Sequence, residues 1–72
     1  MALYILKELD STGRPFRDDD TTSYYADDDY GGDAYPAAMA GYNREVAQTD
    51  LAWGPGSGAK RWTLLKVSPK AD

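Results

Sequence analysis

The apolar pattern opens with ALYILKEL (Ala2 to Leu9), an unbroken run of strand formers. Alternation puts Leu3, Ile5 and Leu9 on one side and Tyr4 and Leu6 on the other, which predicts a strand. DSTGRPFRD follows, where Gly13 and Pro15 mark a turn or loop. DAYPAAMAGYNREVAQ reads as a helix. Asp33 can cap it, and Pro36 falls in the first turn, where a missing N–H is harmless. Tyr35, Met39, Tyr42 and Val46 recur at helical spacing as one apolar stripe. Gly41 inside it costs about 1 kcal/mol relative to Ala. DLAWGPGSGAKRWTLLKV reads as a hairpin, with Leu51 to Trp53 and Arg61 to Val67 flanking the glycine-rich GPGSG. The last residues, 68–72 (SPKAD), read as a frayed tail.

The expected fold is therefore α+β: a small antiparallel sheet of about three strands with one helix packed across it, in a single domain covering 1–72. Leu3, Ile5, Trp62, Leu64 and Val67 are expected to join Met39 and Val46 in its core, with Tyr35 and Tyr42 covering the edge. No repeat at solenoid period is present.

Between the first strand and the helix lies an acidic segment, 18–33, containing DDDTTSYYADDDY. Thr21, Thr22, Tyr24 and Tyr25 favour a strand there. Alternatively, Asp20 caps a short helical turn. Three adjacent aspartates suit neither interior, and Gly31-Gly32 breaks whatever precedes it.

Composition sharpens this picture. A chain of 72 residues buries only about 60% of the surface its unfolded form exposes, and such chains often recruit disulfides, metals or oligomerisation. There is no Cys and no His, which excludes disulfides and thiolate or imidazole zinc sites. No apolar run reaches the roughly 20 residues needed to span a bilayer. The N-terminus has no basic leader or cleavage pattern, so a cytoplasmic protein without a membrane partner is expected. The net charge of −4 is uneven: 18–33 carries seven aspartates and no base, while the remainder has eight Lys or Arg against five acids. Acidity confined to one segment marks a recognition surface more often than a solubility device.

Enzymatic chemistry fails on inventory. Without His or Cys the usual general base and strongest nucleophile are missing. Paired carboxylates serve glycoside hydrolysis, but a chain this short has little room for the dry pocket that tunes them. GPGSGAK departs from a phosphate-binding P-loop, because Ala59 separates Gly58 from Lys60 and Arg61 replaces the hydroxyl residue. DDDYGGDAY has oxygen ligands suited to calcium. Counted from Asp27 as an EF-hand loop, however, Gly31 falls at position five and Ala38 at position twelve, where the pattern requires Asp or Asn and then Glu.

The remaining readings are a solvated acidic loop and a surface that imitates nucleic acid. On an extended strand, same-face carboxylates lie about 6.6 Å apart and repel by only roughly 0.6 kcal/mol in water. They offer a charged row to a groove built for phosphates. Interleaved tyrosines favour an interface, since disordered acidic segments are poor in aromatics. The candidate partner-binding residues are Asp18, Asp19, Asp20, Tyr24, Tyr25, Asp27, Asp28, Asp29, Tyr30 and Asp33. No catalytic residue, metal ligand or cofactor is assigned, and a monomer is expected.

The triple aspartates at Asp18 to Asp20, the DDDY at Asp27 to Tyr30, and Asp33 give the chain a likeness to a known group. It resembles the small acidic phage-type anti-CRISPR proteins of the DNA-mimic class. The likeness lies in size, composition and charge placement, and it carries over no residue role. It implies a non-enzymatic inhibitor acting in a host cell's cytoplasm. That inhibitor would occupy the basic DNA-binding groove of a Cascade-type surveillance complex or another Cas effector, without binding nucleic acid itself. The alternatives are a calcium-binding or structural module built on the aspartate cluster, and an inhibitor of another DNA-handling protein.

Overall fold

A computed structural model describes residues 2–15 and 21–68. The sheet has three antiparallel strands: β1 (Leu3–Glu8), β2 (Ser23–Ala26) and β3 (Trp62–Val67), in the order β2-β1-β3. The long helix α1 (Tyr35–Trp53) and the short α2 (Ser57–Arg61) lie between β2 and β3 in sequence. The α+β class with one main helix on a three-stranded antiparallel sheet is thus as the sequence predicts. β1 takes the centre, where its uninterrupted strand formers pair on both sides: Tyr4 with Tyr25 and Lys66, and Leu6 with Ser23 and Leu64.

The core lies on the opposite face of β1 from the one expected. Tyr4 and Leu6 are buried, while Leu3 and Ile5 are half-buried on the far side. Trp62 is buried as expected and Leu64 is half-buried beside it, but Val67 is 49% exposed. The helix explains the choice. It turns Ala34, Ala38 and Gly41 inward, not the stripe of larger residues. Met39, Tyr42 and Val46 are half-buried at the flanks, and Tyr35 is exposed. Small side chains let α1 approach closely, so the bulk filling the gap comes from the sheet: Tyr4, Tyr25 and Leu64 pack with Ala34 and Ala38. At Gly41 a Cβ would collide with the Tyr25 hydroxyl.

The expected C-terminal hairpin is replaced by helix. Residues Leu51 to Trp53 complete α1, because no breaker intervenes before Gly54-Pro55, and Leu51 and Trp53 stay exposed. GPGSG does not form a hairpin loop. Its Gly58 enters α2 and sits so close to the Val46 backbone that any side chain would overlap it. Asp50 Oδ1 accepts the Gly58 amide at 2.7 Å, and the Trp62 indole N–H donates to Thr49 Oγ1 at 2.8 Å, fixing α2 and β3 to the end of α1. The strand that pairs with β3 is therefore β1.

Ser68 lies beyond β3 with no regular structure, and the rest of the expected tail, 69–72, falls outside the described residues. Among the described residues no helix is long and apolar enough to cross a membrane.

Candidate functional site

Of the two alternatives for the acidic segment, the strand holds for Tyr24 and Tyr25. The helical turn comes later in the segment than the one Asp20 was expected to cap, and Asp20 itself lies outside the described residues. Ser23 to Ala26 form β2, and Asp27–Tyr30 form one 3-10 turn. Gly31 and Gly32 close that turn at φ 68° and 103°, a left-handed backbone that glycine adopts without steric penalty. The Gly32 amide donates to the Asp27 carbonyl at 2.9 Å, and Asp33 then leads into α1.

Asp27 is the structural centre of the turn. Its Oδ2 accepts the Ala2 amide at 2.6 Å and its Oδ1 accepts the Ala34 amide at 2.8 Å. Its own amide donates to the Ala2 carbonyl at 3.0 Å. One carboxylate thereby ties the start of the central strand to the residue capping α1. Both oxygens accept hydrogen bonds that favour the charged form. The Ala34 amide, then the Ala2 amide, holds the Asp27 carboxyl below its ordinary pKa; partial desolvation opposes them, and Lys66 adds a smaller favourable field. Asp27 belongs to the scaffold of the turn, not to its outward surface.

Asp28 and Asp29 differ from it completely. Both are exposed, and among the described residues neither side chain has a hydrogen bond or an ion pair. Asp33 is exposed too, with Oδ1 accepting the Tyr35 amide at 3.1 Å. It therefore helps to cap the helix, one residue earlier than a standard N-cap, and keeps its second oxygen outward. The N-terminal end of α1 adds a favourable dipole for negative charge.

The tyrosines divide among three environments. Tyr30 is 45% exposed beside the carboxylates, with its ring 6.0 Å from that of Tyr25. Tyr25 itself is half-buried under α1 against Gly41, as part of the packing. Tyr24 points to the opposite face of the sheet, paired across from Ile5, and is 55% exposed. Of the sequence candidates, the fold brings Asp28, Asp29, Tyr30 and Asp33 together on one exposed turn. Asp18, Asp19 and Asp20 lie outside the described residues.

A metal reading finds no convergence: among the described residues no group of three acidic side chains is placed to hold an ion. Each Asp27 oxygen already accepts one backbone amide.

Two concave regions escaped the sequence reading. A cleft of about 570 Å³ runs between α1 and β3, lined by Tyr4, Tyr35, Met39, Tyr42, Trp62 and Lys66 among others. The alternation of Trp62, Leu64 and Lys66 was its available signal. The second, about 550 Å³, contains Leu9, Thr12, Trp53, Lys60 and Arg61. Two of its charges are already engaged: Arg61 lies 5.0 Å from the Trp53 ring and 3.3 Å from Glu8, and Asp10 accepts the Thr12 and Arg14 amides.

Compared with known protein families, with curated proteins and with solved structures, the chain has no match in any of the three.

Proposed function

We propose that the protein is a non-enzymatic inhibitor that inserts an acidic turn into a basic groove built for nucleic acid. The observation that carries this reading is the division of labour within one run of aspartates. Asp27 is fully engaged in holding the turn, while Asp28, Asp29 and Asp33 project from it without a cation partner among the described residues. A turn fixed at both ends loses little conformational freedom on binding, which favours affinity. The exposed Tyr30 adds the aromatic contact common at interface hot spots. Carboxylates on a rigid turn complement the Lys and Arg that normally hold phosphates, and binding there excludes DNA without chemistry.

The resemblance drawn from size and charge placement directs the choice of target to a Cascade-type surveillance complex or another Cas effector. The purified protein should co-elute with such a complex and abolish its retention of target DNA. Co-elution with a restriction enzyme or polymerase instead would move the target while keeping the mechanism. If the protein neither co-elutes with a DNA-handling protein nor changes its DNA binding, the inhibitor reading fails.

A further inference from the structure

The two edges of the sheet are unequal. β2 spans four residues and runs directly into the 3-10 turn, whereas β3 spans six with no proline or bulge. Among the described residues no strand pairs with the outer edge of β3. Pairing geometry identifies which groups that edge presents. The Leu9 amide donates to the Arg61 carbonyl at 2.6 Å, in the same register as the β1–β3 ladder. Hydrogen-bonded pairs alternate in an antiparallel ladder, so Thr63, Leu65 and Val67 bond to β1, while Trp62, Leu64 and Lys66 direct their backbone groups outward. The Trp62 amide is taken by the Gly58 carbonyl. The Trp62 carbonyl and both backbone groups of Leu64 and Lys66 remain available. These same three residues turn their side chains toward the cleft under α1.

We propose that this edge pairs with the β3 edge of a second copy of the chain, joining two sheets into one of six strands. The sequence of β3 suits itself. With Leu64 opposite Leu64 of the second copy, the two Leu64 residues exchange amide bonds. Each Lys66 amide then donates to the other copy's Trp62 carbonyl. Lys66, whose ammonium already lies 6.0 Å from the Tyr4 ring, stands across from the other copy's Trp62, and no like charges face each other. Shifting the register by one bonded pair would bring the two Lys66 side chains together diagonally, which disfavours it. A foreign acidic peptide is the weaker occupant, because Lys66 is the one basic residue among the three that face this edge. The chain also has reason to associate: among the described residues the buried apolar set is Tyr4, Leu6, Ala34, Ala38 and Trp62, and oligomerisation commonly supports domains this small. Pairing of one six-residue strand with its copy is a small contact beside the about 1,200 Å² at the low end of specific interfaces, so the dimer should dissociate on dilution.

The test is sedimentation equilibrium of the intact protein combined with amide hydrogen exchange followed by NMR. The mass should rise from the 7.9 kDa of one chain toward twice that value as concentration increases. Over the same range the Leu64 and Lys66 amides should become protected, while Thr63 and Leu65 are protected throughout. Lys66→Pro removes an outward donor and no β1 bond, so it should keep the fold and stay monomeric. Should that variant unfold, the alternating exchange pattern of the parent still decides the question. A single-chain mass up to millimolar concentration overturns the proposal. So does a dimer whose Leu64 and Lys66 amides still exchange freely, which would place the contact elsewhere, or protection at those positions that requires an added peptide.

Discussion

The two faces of the sheet are nearly equal in hydrophobicity and opposite in fate. One carries Tyr4, Leu6, Tyr25, Trp62 and Leu64 and lies under α1; the other carries Leu3, Ile5, Tyr24, Leu65 and Val67 and, among the described residues, has no helix over it. The polar ends of the aromatics contribute to the difference. Under the helix, the Trp62 indole N–H donates to Thr49, and the Tyr25 ring fits where Gly41 carries no side chain. The larger influence is the helix itself, whose inward surface is Ala34, Ala38 and Gly41. A helix with so little bulk must meet the face that supplies large side chains. Apolar character makes a strand, but the complementary shape of the second layer chooses its inner face.

The sharpest way to break the comparison is to excavate the covered face. Leu6 is 2% exposed, so Leu6→Ala should cost about 2–5 kcal/mol, a large fraction of the about 4–11 kcal/mol expected for a domain of this length. Chemical denaturation would show it, and an unchanged midpoint would contradict the burial. Gly58→Ala comes next. Its methyl meets the Val46 backbone, which cannot yield as a flexible side chain can, so overpacking of about 1–3 kcal/mol is expected in the same assay.

Asp27→Asn should lower the melting temperature at neutral pH, since a carboxamide cannot accept both amides in the same way. The sign with pH follows from the depressed carboxyl pKa of Asp27. Its stabilisation is fully present above the unfolded value of about 3.9 and is lost as pH falls through the lower folded value. The gap between parent and variant should therefore close on acidification below about pH 3.9. A gap that is constant in pH would mean the loss comes from something other than the charge. Gly41→Ala is finer still. A helical gain of about 1 kcal/mol opposes displacement of the Tyr25 ring, so the near-ultraviolet circular dichroism should change more than the stability does. Leu65→Thr on the bare face should shift stability by less than about 0.5 kcal/mol.

The sequence made the class and the main elements legible because their signals were local. A strand at Leu3 to Glu8, a helix beginning near Pro36 and a strand through Leu64 each rest on periodicity within one segment. The inner face of β1 was not legible, since Leu3 and Ile5 compete evenly with Tyr4 and Leu6. The helical fate of Leu51 to Trp53 was hidden by two apolar residues that remain exposed on the helix. In the candidate site, the concentration of charge was visible but its internal division was not. Asp27, Asp28 and Asp29 are chemically identical in sequence. Only the arrival of the Ala2 and Ala34 amides, one distant along the chain and one beyond the double glycine, separates the first from the other two.

That separation is the centre of the account, and one binding measurement tests it directly. Association with an immobilised Cascade-type complex would be followed for the parent and for a variant carrying Asp28→Asn, Asp29→Asn and Asp33→Asn, at low and at raised salt. Asparagine retains an acceptor for the Tyr35 amide, and relief of like-charge repulsion offsets the dipole interaction lost at Asp33, so the fold should be kept. The account predicts a parent on-rate that falls steeply with salt, and a folded variant whose on-rate is much lower and nearly insensitive to salt. A variant that binds as fast as the parent, with the same salt dependence, would contradict it.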